Sequence, residues 1–467
     1  MITFAEKKQN MAFSYHKPTR DFCEVCHHLE ETERDVPLIT TFDGKASSAN
    51  NFPFHNWYNF VLGYAPDFPL YIINKYGIKK GDIILDPFMG TATTNVVAKS
   101  LGIESVGVEA NDCFIGVGKA KLNWDIDCDL IERTTSKIQS LLEKEINKIN
   151  FSEDSDLFSE GKISYKEFAN QNRPKELTSR YISDRPFVKL YLIKNVLREV
   201  IKKQDSPLWP FYHTAFSSII VPSSNCSYGP GFGVNKPKAD VNVISLFTKK
   251  LERMTNDLRS VEHDNIKYTP YRIIWGDSRK LSSYLEPNSI DFLITSPPYP
   301  GDHEYTKHTK LELMMGMDVL SLNDFRVIKK RMLVGSTTNI YKDNNDGGNV
   351  SGNPLIIEVT NEIRRRLDAD GATSGFEKLY TKLVWEYFGG MAKMFREAYT
   401  IMKEGGKFSL LVSDSHAFKM VHIRTAVILA DIARKIGFSD SEIELWQNKR
   451  STSHHYSLRE EILTITK

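Results

Sequence analysis

Residues 82–109 constrain the fold of this chain more than any other stretch. Asp82-Ile83-Ile84-Leu85 reads as a short buried strand, Gly90 to Thr94 as a Gly/Thr turn, and residues 95–101 as a helix stopped by Gly102. Ser105-Val106-Gly107-Val108-Glu109 then reads as a second strand ending in an acid. A strand–turn–helix–strand unit opens a doubly wound α/β domain, since parallel neighbours must be joined by a crossover. The pattern resumes at residues 271–275 and at Phe292-Leu293-Ile294. Leu379, Leu383, Tyr387, Met391, Phe395 and Met402 mark a long amphipathic helix expected to end at Gly405-Gly406. A strand at 408–412, a helix at 423–436 stopped by Gly437 and a strand at 461–465 come after it.

The halves of this α/β pattern are separated by sequence of another kind. Ile131, Ile138, Leu141, Leu142, Glu145 and Ile149 keep a helical register, as do Leu190, Ile193, Val196, Leu197 and Val200, and a further helix spans 243–258. Residues 152–183 read as a linker or loop, and 223–233 as an irregular loop. The expected organisation is an N-terminal arm (1–51), the first part of the core (52–112), a mainly helical insertion (113–269) and the second part of the core (270–467). The last part contains a polar insertion (300–374) interrupted by a short helix around Ile363. With 467 residues, 41% of them hydrophobic, the chain can bury a large core. It has neither a stretch of about 20 apolar residues nor a signal-peptide block at its N-terminus, so no membrane association and a cytoplasmic location are expected. Five scattered cysteines do not make a disulfide framework. A net charge of +2 is silent on nucleic acid, and such a partner would have to meet local basic clusters.

A glycine at the bend after a strand lets the backbone approach a ligand, and the helix N-terminus beyond it favours negative charge. Glu109 stands 19 residues after Gly90, where an acid reaching two ribose hydroxyls is expected. Together they point to a nucleoside-containing cofactor. The motif Asp86-Pro87-Phe88-x-Gly90-x-x-Thr93-Thr94 resembles the methionine-pocket motif of amino-group DNA methyltransferases, usually Asp-Pro-Phe-x-Gly-Ser-Gly-Thr-Thr. It departs at Ala92, where the family has glycine; the turn is unstrained there if φ is negative and strained if φ is positive. Upstream, Tyr64-Ala65-Pro66-x-Phe68-Pro69 is similar to the family's segment that closes over the cofactor's methionine end. Asp277, in Trp275-Gly276-Asp277-Ser278, matches the position that contacts the cofactor's adenine. The resemblance implies a Rossmann-like class I methyltransferase core using S-adenosylmethionine. The cofactor residues it implies are Tyr64, Phe68, Asp86, Pro87, Phe88, Gly90, Thr93, Thr94, Glu109 and Asp277, with no metal.

Ser296-Pro297-Pro298-Tyr299 follows an apolar strand, and its two prolines fix φ and present the carbonyls of Ser296 and Pro297 stiffly. An exocyclic amine on a base is a poor nucleophile because its lone pair is delocalised into the ring. Ser296 and the Pro297 carbonyl, each accepting one N–H bond, would draw that nitrogen toward sp³, and Tyr299 would stack on the extruded base. Thr295 to Tyr299 resembles the catalytic motif of cytosine-N4 DNA methyltransferases, whereas adenine-N6 enzymes more often carry Asp or Asn in place of Ser296. Asp302-His303-Glu304-Tyr305-Thr306 and Leu311-Glu312-Leu313 also look like the segment after this loop in one prokaryotic subgroup, and the resemblance covers residues 56–111 and 271–467. It implies catalysis by Ser296, Pro297, Pro298 and Tyr299 on double-stranded DNA, in a restriction–modification or phage-defence system. No convincing nuclease signature is present, so a restriction endonuclease would be another chain.

Two other readings stay open. One is the same chemistry on adenine N6 or on a base in RNA, although RNA enzymes more often show Asn-Pro-Pro-Tyr and an added RNA-binding domain. The other is a non-catalytic DNA-binding subunit, toward which only Ala92 points. Target reading is expected in the insertions, through the loop at 225–233 or the clusters Arg326, Lys329, Lys330, Arg331 and Arg364-Arg365-Arg366. Residues 448–452, His454 and His455 are further possibilities. Cys23-Glu24-Val25-Cys26-His27-His28 suggests a haem-attachment or zinc motif, but the first wants an export signal and the second another pair of ligands. His213, His416 and His422 have no spacing that suggests a catalytic set.

Overall fold

The computed structural model describes residues 52–152, 161–202, 206–228, 232–301, 303–371, 375–416, 418–450 and 457–467. The expected arm at 1–51 with its Cys23/Cys26 motif, Asp302, His454 and His455 lie outside these residues. Helix α1 (Asp67–Tyr76) leads into β1 (Ile83–Asp86), α2 (Thr93–Ser100), β2 (Glu104–Glu109) and α3 (Asp112–Leu122). Next come α4 (Cys128–Ile146), the strand pair β3 (Ile149–Asn150) and β4 (Ile163–Ser164), α5 (Tyr165–Asn172), α6 (Asp184–Val200) and α7 (Leu208–Ser223). A hairpin of β5 (Cys226–Tyr228) and β6 (Phe232–Val234) precedes α8 (Val243–Ser260). The chain then re-enters the main sheet through β7 (Tyr271–Trp275) and β8 (Ile290–Thr295). Helices α9 (Tyr305–His308), α10 (Leu322–Arg331), α11 (Pro354–Ala369) and α12 (Tyr380–Ile401) lead to β9 (Met402–Ser413), α13 (Thr425–Ile436), β10 (Asp440–Arg450) and β11 (Ser457–Thr466).

Seven strands form one sheet in the order β10-β11-β9-β8-β1-β2-β7. Strands β9, β8, β1, β2 and β7 are parallel, and β11 runs antiparallel to both of its neighbours. Strand residues divide alternately between two cores, as period-two side chains must. Ile84, Ile294, Leu411 and Ile462 meet α1 and α2 on one face, while Leu85, Leu293, Leu410 and Leu463 meet α12 and α13 on the other. Burial on both faces explains why β1 reads as an unbroken apolar run. From β1 the chain moves out to β2 and β7, then returns to the opposite side of β1 for β8 and β9. The strand order therefore reverses between β1 and β8, and ligands of open α/β sheets bind outside the carboxyl ends at that point. This is the doubly wound, Rossmann-like architecture expected from the sequence.

Several local expectations are corrected. Residues 161–183 are not all linker: Ser164 caps α5, whose Tyr165 and Ala169 are buried, two apolar anchors too sparse to show a period. The stretch 223–233 is no wholly irregular loop, since β5 and β6 pair across it. The polar insertion at 300–374 holds the 16-residue α11, started by Asn353 and Pro354, as well as α10 with its Ser321–Asp324 capping box. Ile149 belongs to β3 rather than to the preceding helix, and the helix expected to reach Gly405 stops at Ile401, where β9 starts without a loop. Helix α7 escaped sequence reading because it is apolar almost all round, and β10 because its alternation is masked by charge. The expected boundary at residue 113 falls inside α3, which packs on β2 and β7. Helices α4 and α6 to α8 share a separate apolar core, with Ile131, Ile193, Phe211 and Leu251 fully or almost fully buried.

Candidate active site

A cleft of about 700 Å³ opens at the carboxyl ends of β1, β2 and β8. Tyr64, Pro87, Phe88, Gly90, Thr93, Glu109, Ser296 and Pro298 line it, together with Gly276 and Ser278. Thus two motifs about two hundred residues apart in the sequence share one cavity. Asp86 is fully buried behind it, and its carboxylate accepts from the Phe88 N–H (3.0 Å), the Tyr64 hydroxyl (2.8 Å) and the Thr295 hydroxyl (2.6 Å). Burial pushes the Asp86 carboxyl up to about 6 against these hydrogen bonds. Thr94 joins the same knot through Tyr64 (2.6 Å) and the Ile294 carbonyl (3.3 Å), so β1, β8 and the segment before α1 are locked together.

Gly90 turns with φ 51° and donates its N–H to Glu109 Oε2 at 2.7 Å; Asn111 N–H meets Oε1 at 2.7 Å. Each carboxylate oxygen keeps a lone pair, so the group can still accept from two hydroxyls in the cleft. Burial raises Glu109 to about 7, opposed by its backbone donors. Ala92 takes φ 64° and ψ 33°, the left-handed conformation, and is fully buried at the start of α2. The strained alternative raised for this position is therefore the one realised.

In the loop after β8, Ser296 Oγ donates to the Leu411 carbonyl at 3.1 Å and stands 3.1 Å from the Tyr299 hydroxyl. Tyr299 in turn donates to Glu460 at 3.2 Å, a buried carboxylate that also receives Gln447 and Lys449. With its hydrogen committed to Leu411, Ser296 presents lone pairs as acceptors. Pro297 and Tyr299 sit beside the cleft rather than in its wall. Phe68 lies deeper still, fully buried against Tyr64 and Trp446.

The Asp277 carboxylate is turned onto Arg279, which forks over it from Nε (2.9 Å) and Nη2 (2.8 Å), so its neighbours Gly276 and Ser278 form the wall instead. Phe60, Phe114, Tyr305, Arg331, Met332 and Leu333 also line the cavity, a place the sequence did not give them: Tyr305 stood only in the segment after the loop, and Arg331 in a basic cluster expected to read DNA. These come from the segment before α1, from α3 and from the insertion after β8, and no local pattern marks them as one wall. The lining fits the expected cofactor, since the Glu109 carboxylate, the glycine turn, Tyr64 and Ser296 all face one cavity.

The basic clusters are largely engaged within the chain. Lys329 pairs with Glu304 (2.9 Å), Lys330 with Asp343 (2.6 Å), and Arg331 with Asp112 (2.7 Å). Arg365 and Arg366 both pair with Glu362. His416 and His422, unremarkable in sequence, stack with ring centroids 4.4 Å apart, His422 meeting Asp414 at 2.8 Å. His213 is buried elsewhere, 3.2 Å from the Gly316 carbonyl. Among the described residues there is no group of three or more potential metal ligands and no helix long and apolar enough to cross a membrane.

The family model described as DNA methylase matches residues 51–119, the span that carries β1, its turn and Glu109. The Type II methyltransferase M.BsoBI of Geobacillus stearothermophilus is 24% identical over 466 residues, covering 91% of this chain and 86% of that protein. The Type II methyltransferase M.MvaI of Kocuria varians is 24% identical over 380 residues, 77% of this chain and 75% of its own. The Type II methyltransferase M.HinfI of Haemophilus influenzae is 40% identical over 57 residues, 12% of this chain and 16% of its own. With the motifs gathered at the reversal point of a doubly wound sheet, the family model and these relatives support the amino-group DNA methyltransferase family, whose members use S-adenosylmethionine as methyl donor.

Proposed function

We propose that the protein methylates the exocyclic N4 of a cytosine extruded from duplex DNA, as the modification component of a restriction–modification or phage-defence system. The observation that carries this reading is Ser296: its side chain lines the cofactor cleft while its hydrogen is held by Leu411. Its free lone pairs can then accept one hydrogen of the target amine, and the stiff Pro297 carbonyl the other, which restores nucleophilicity to the nitrogen. Tyr299, fixed by Glu460, offers a ring on which the extruded base stacks. Glu109 accepts the ribose hydroxyls, Gly276 and Ser278 flank the adenine, and Tyr64, Pro87, Phe88, Gly90 and Thr93 hold the methionine end. Asp86 and Thr94 act behind them by fixing Tyr64. When bound, S-adenosylmethionine supplies a methyl group already activated on a positively charged sulfur. Reading of the DNA sequence falls to the insertions at 113–269 and 300–374, and any nuclease is a separate chain.

Labelled S-adenosylmethionine, duplex DNA and the full chain, followed by digestion to nucleosides, test this. Label on cytosine N4 is the expected result, and label on adenine N6 would transfer the same residues to the other base. Tight cofactor binding with no transfer to any DNA would sink the enzymatic reading. Tyr299→Ala is expected to lower kcat at least tenfold with little change in cofactor Kd, as removal of a base-stacking platform should.

A further inference from the structure

One wall of the cleft comes from outside the sheet and its cofactor motifs. Helix α10 ends at Arg331, and Arg331, Met332 and Leu333 face the cavity. Two arginines fasten this end of α10. Arg279 donates from Nη2 to the Lys330 carbonyl at 3.2 Å, while Nη1 reaches Asp346 at 2.5 Å and the rest of the fork holds Asp277. Arg331 donates from Nη2 to Asp112 at 2.7 Å and lies 3.4 Å from the Ala110 carbonyl. Its guanidinium covers the ring of Trp275 at 4.2 Å.

Those three partners locate the fastening. Ala110 follows Glu109 at the end of β2, Asp112 opens α3, and Trp275 ends β7 immediately before Gly276. One side chain therefore clips the insertion to both strands that border the adenosine end. Beyond Leu333 the chain crosses to the catalytic loop, where the Gly335 carbonyl accepts from the Gly301 N–H at 3.0 Å and Gly335 packs beside Pro298. Residues 331–335 thus form a strap touching the cleft at both ends. Trp275 is 55% exposed, so its ring is open to the guanidinium that covers it. The Arg331 Nε–H is buried without an acceptor among the described residues, so a donor is left over at this wall.

We infer that Arg331 is a positioning residue for S-adenosylmethionine: by clipping the strap over Trp275 and Asp112 it closes the adenosine end of the cleft. The inference rests on the proposed reading of the cleft as the cofactor site. A planar guanidinium can stack on the indole and pair with the carboxylate at once, whereas an ammonium keeps only the second interaction well.

Calorimetric titration of the full chain with S-adenosylmethionine, without DNA, tests it. Arg331→Met, which keeps the apolar stem, is expected to weaken cofactor binding about tenfold. Arg331→Lys is expected to fall between Arg331→Met and the wild type. A double-mutant cycle of Arg331→Met with Asp112→Asn should be non-additive, since both break one clip. Should Arg331→Met not fold, Trp275→Leu and Asp112→Asn probe the same fastening from the core side, and each should weaken binding. Cofactor affinity within twofold of wild type in folded Arg331→Met, or in both core-side variants, overturns the assignment. Wild-type chain that binds the cofactor normally yet methylates no DNA would defeat the proposed function and leave this assignment standing.

Discussion

The burial of Glu109 and the role proposed for it pull its proton in opposite directions. Burial favours the neutral acid, while accepting two hydroxyls requires the carboxylate. Its folded pKa, near 7, is raised above its ordinary 4.5. The folded chain therefore holds a proton that the unfolded chain releases within that window. The stability from this group is fully present below about 4.5 and is lost as pH rises through about 7. Asp86, raised to about 6 by the same cause, adds to the trend. Unliganded protein is thus expected to lose melting temperature between about pH 5 and pH 8, while affinity for S-adenosylmethionine rises over the same range. Affinity that does not change from about pH 6 to pH 8, measured by calorimetry, would remove Glu109 as the hydroxyl acceptor. Ala92 gives a second prediction at this scale. A left-handed alanine costs roughly 1 kcal/mol, partly offset by its buried methyl. Ala92→Gly should keep or slightly raise the denaturant midpoint, and Ala92→Val should lower stability by about 2 kcal/mol or more, because a β-branched residue fits this conformation poorly.

At the scale of elements, α12 decides how the second insertion meets the core. Gly389 faces the backbone of Asp346 and Gly347, and a Cβ built there would lie 2.0 Å from the Asp346 carbonyl oxygen. No rotamer relieves a clash with backbone, so Gly389→Ala must displace the segment carrying Asp346. That segment supplies the carboxylate holding Arg279, and through Arg279 the end of α10. Gly389→Ala is expected to cost about 1–3 kcal/mol in chemical denaturation and to weaken cofactor binding although it is remote from the cleft. Unchanged affinity in a folded variant would uncouple α12 from the site. Legibility from sequence divides along the same lines. Strands β1, β2 and β8 and the motifs at their ends were readable because burial and turn chemistry are local there. The walls made by Phe60, Phe114 and Arg331 were not, since they exist only after distant elements dock. The basic residues of α10 and α11 read as a phosphate-contacting surface, yet they mostly meet acids of the same chain. Only three-dimensional neighbours reveal that.

For the whole molecule, the sheet gathers strands in an order far from that of the sequence. β11 lies between β9 and β10, and its Glu460 anchors Tyr299 on β8's loop. Removing residues 457–467 should therefore do more than shorten an edge. It would bare β9, strand β10 would lose its partner, and Tyr299 would lose its fixing carboxylate. The expected result is a largely insoluble product with exposed strand edges, checked by soluble yield and limited proteolysis. Soluble truncated protein with native protease resistance would contradict it. The same arrangement has a meaning for biosynthesis. As the chain leaves the ribosome, β1 can meet β2 almost at once, but β10 has to wait for residues made after it before it can join the sheet. Synthesis proceeds at roughly 5–20 residues per second, so the edge of β9 stays unpaired for several seconds, and the loop that holds Tyr299 matures last. The nascent protein is therefore at greatest risk of wrong association just before synthesis reaches β11, and the role proposed for Tyr299 would make it competent for chemistry only after that strand has slid between its two predecessors.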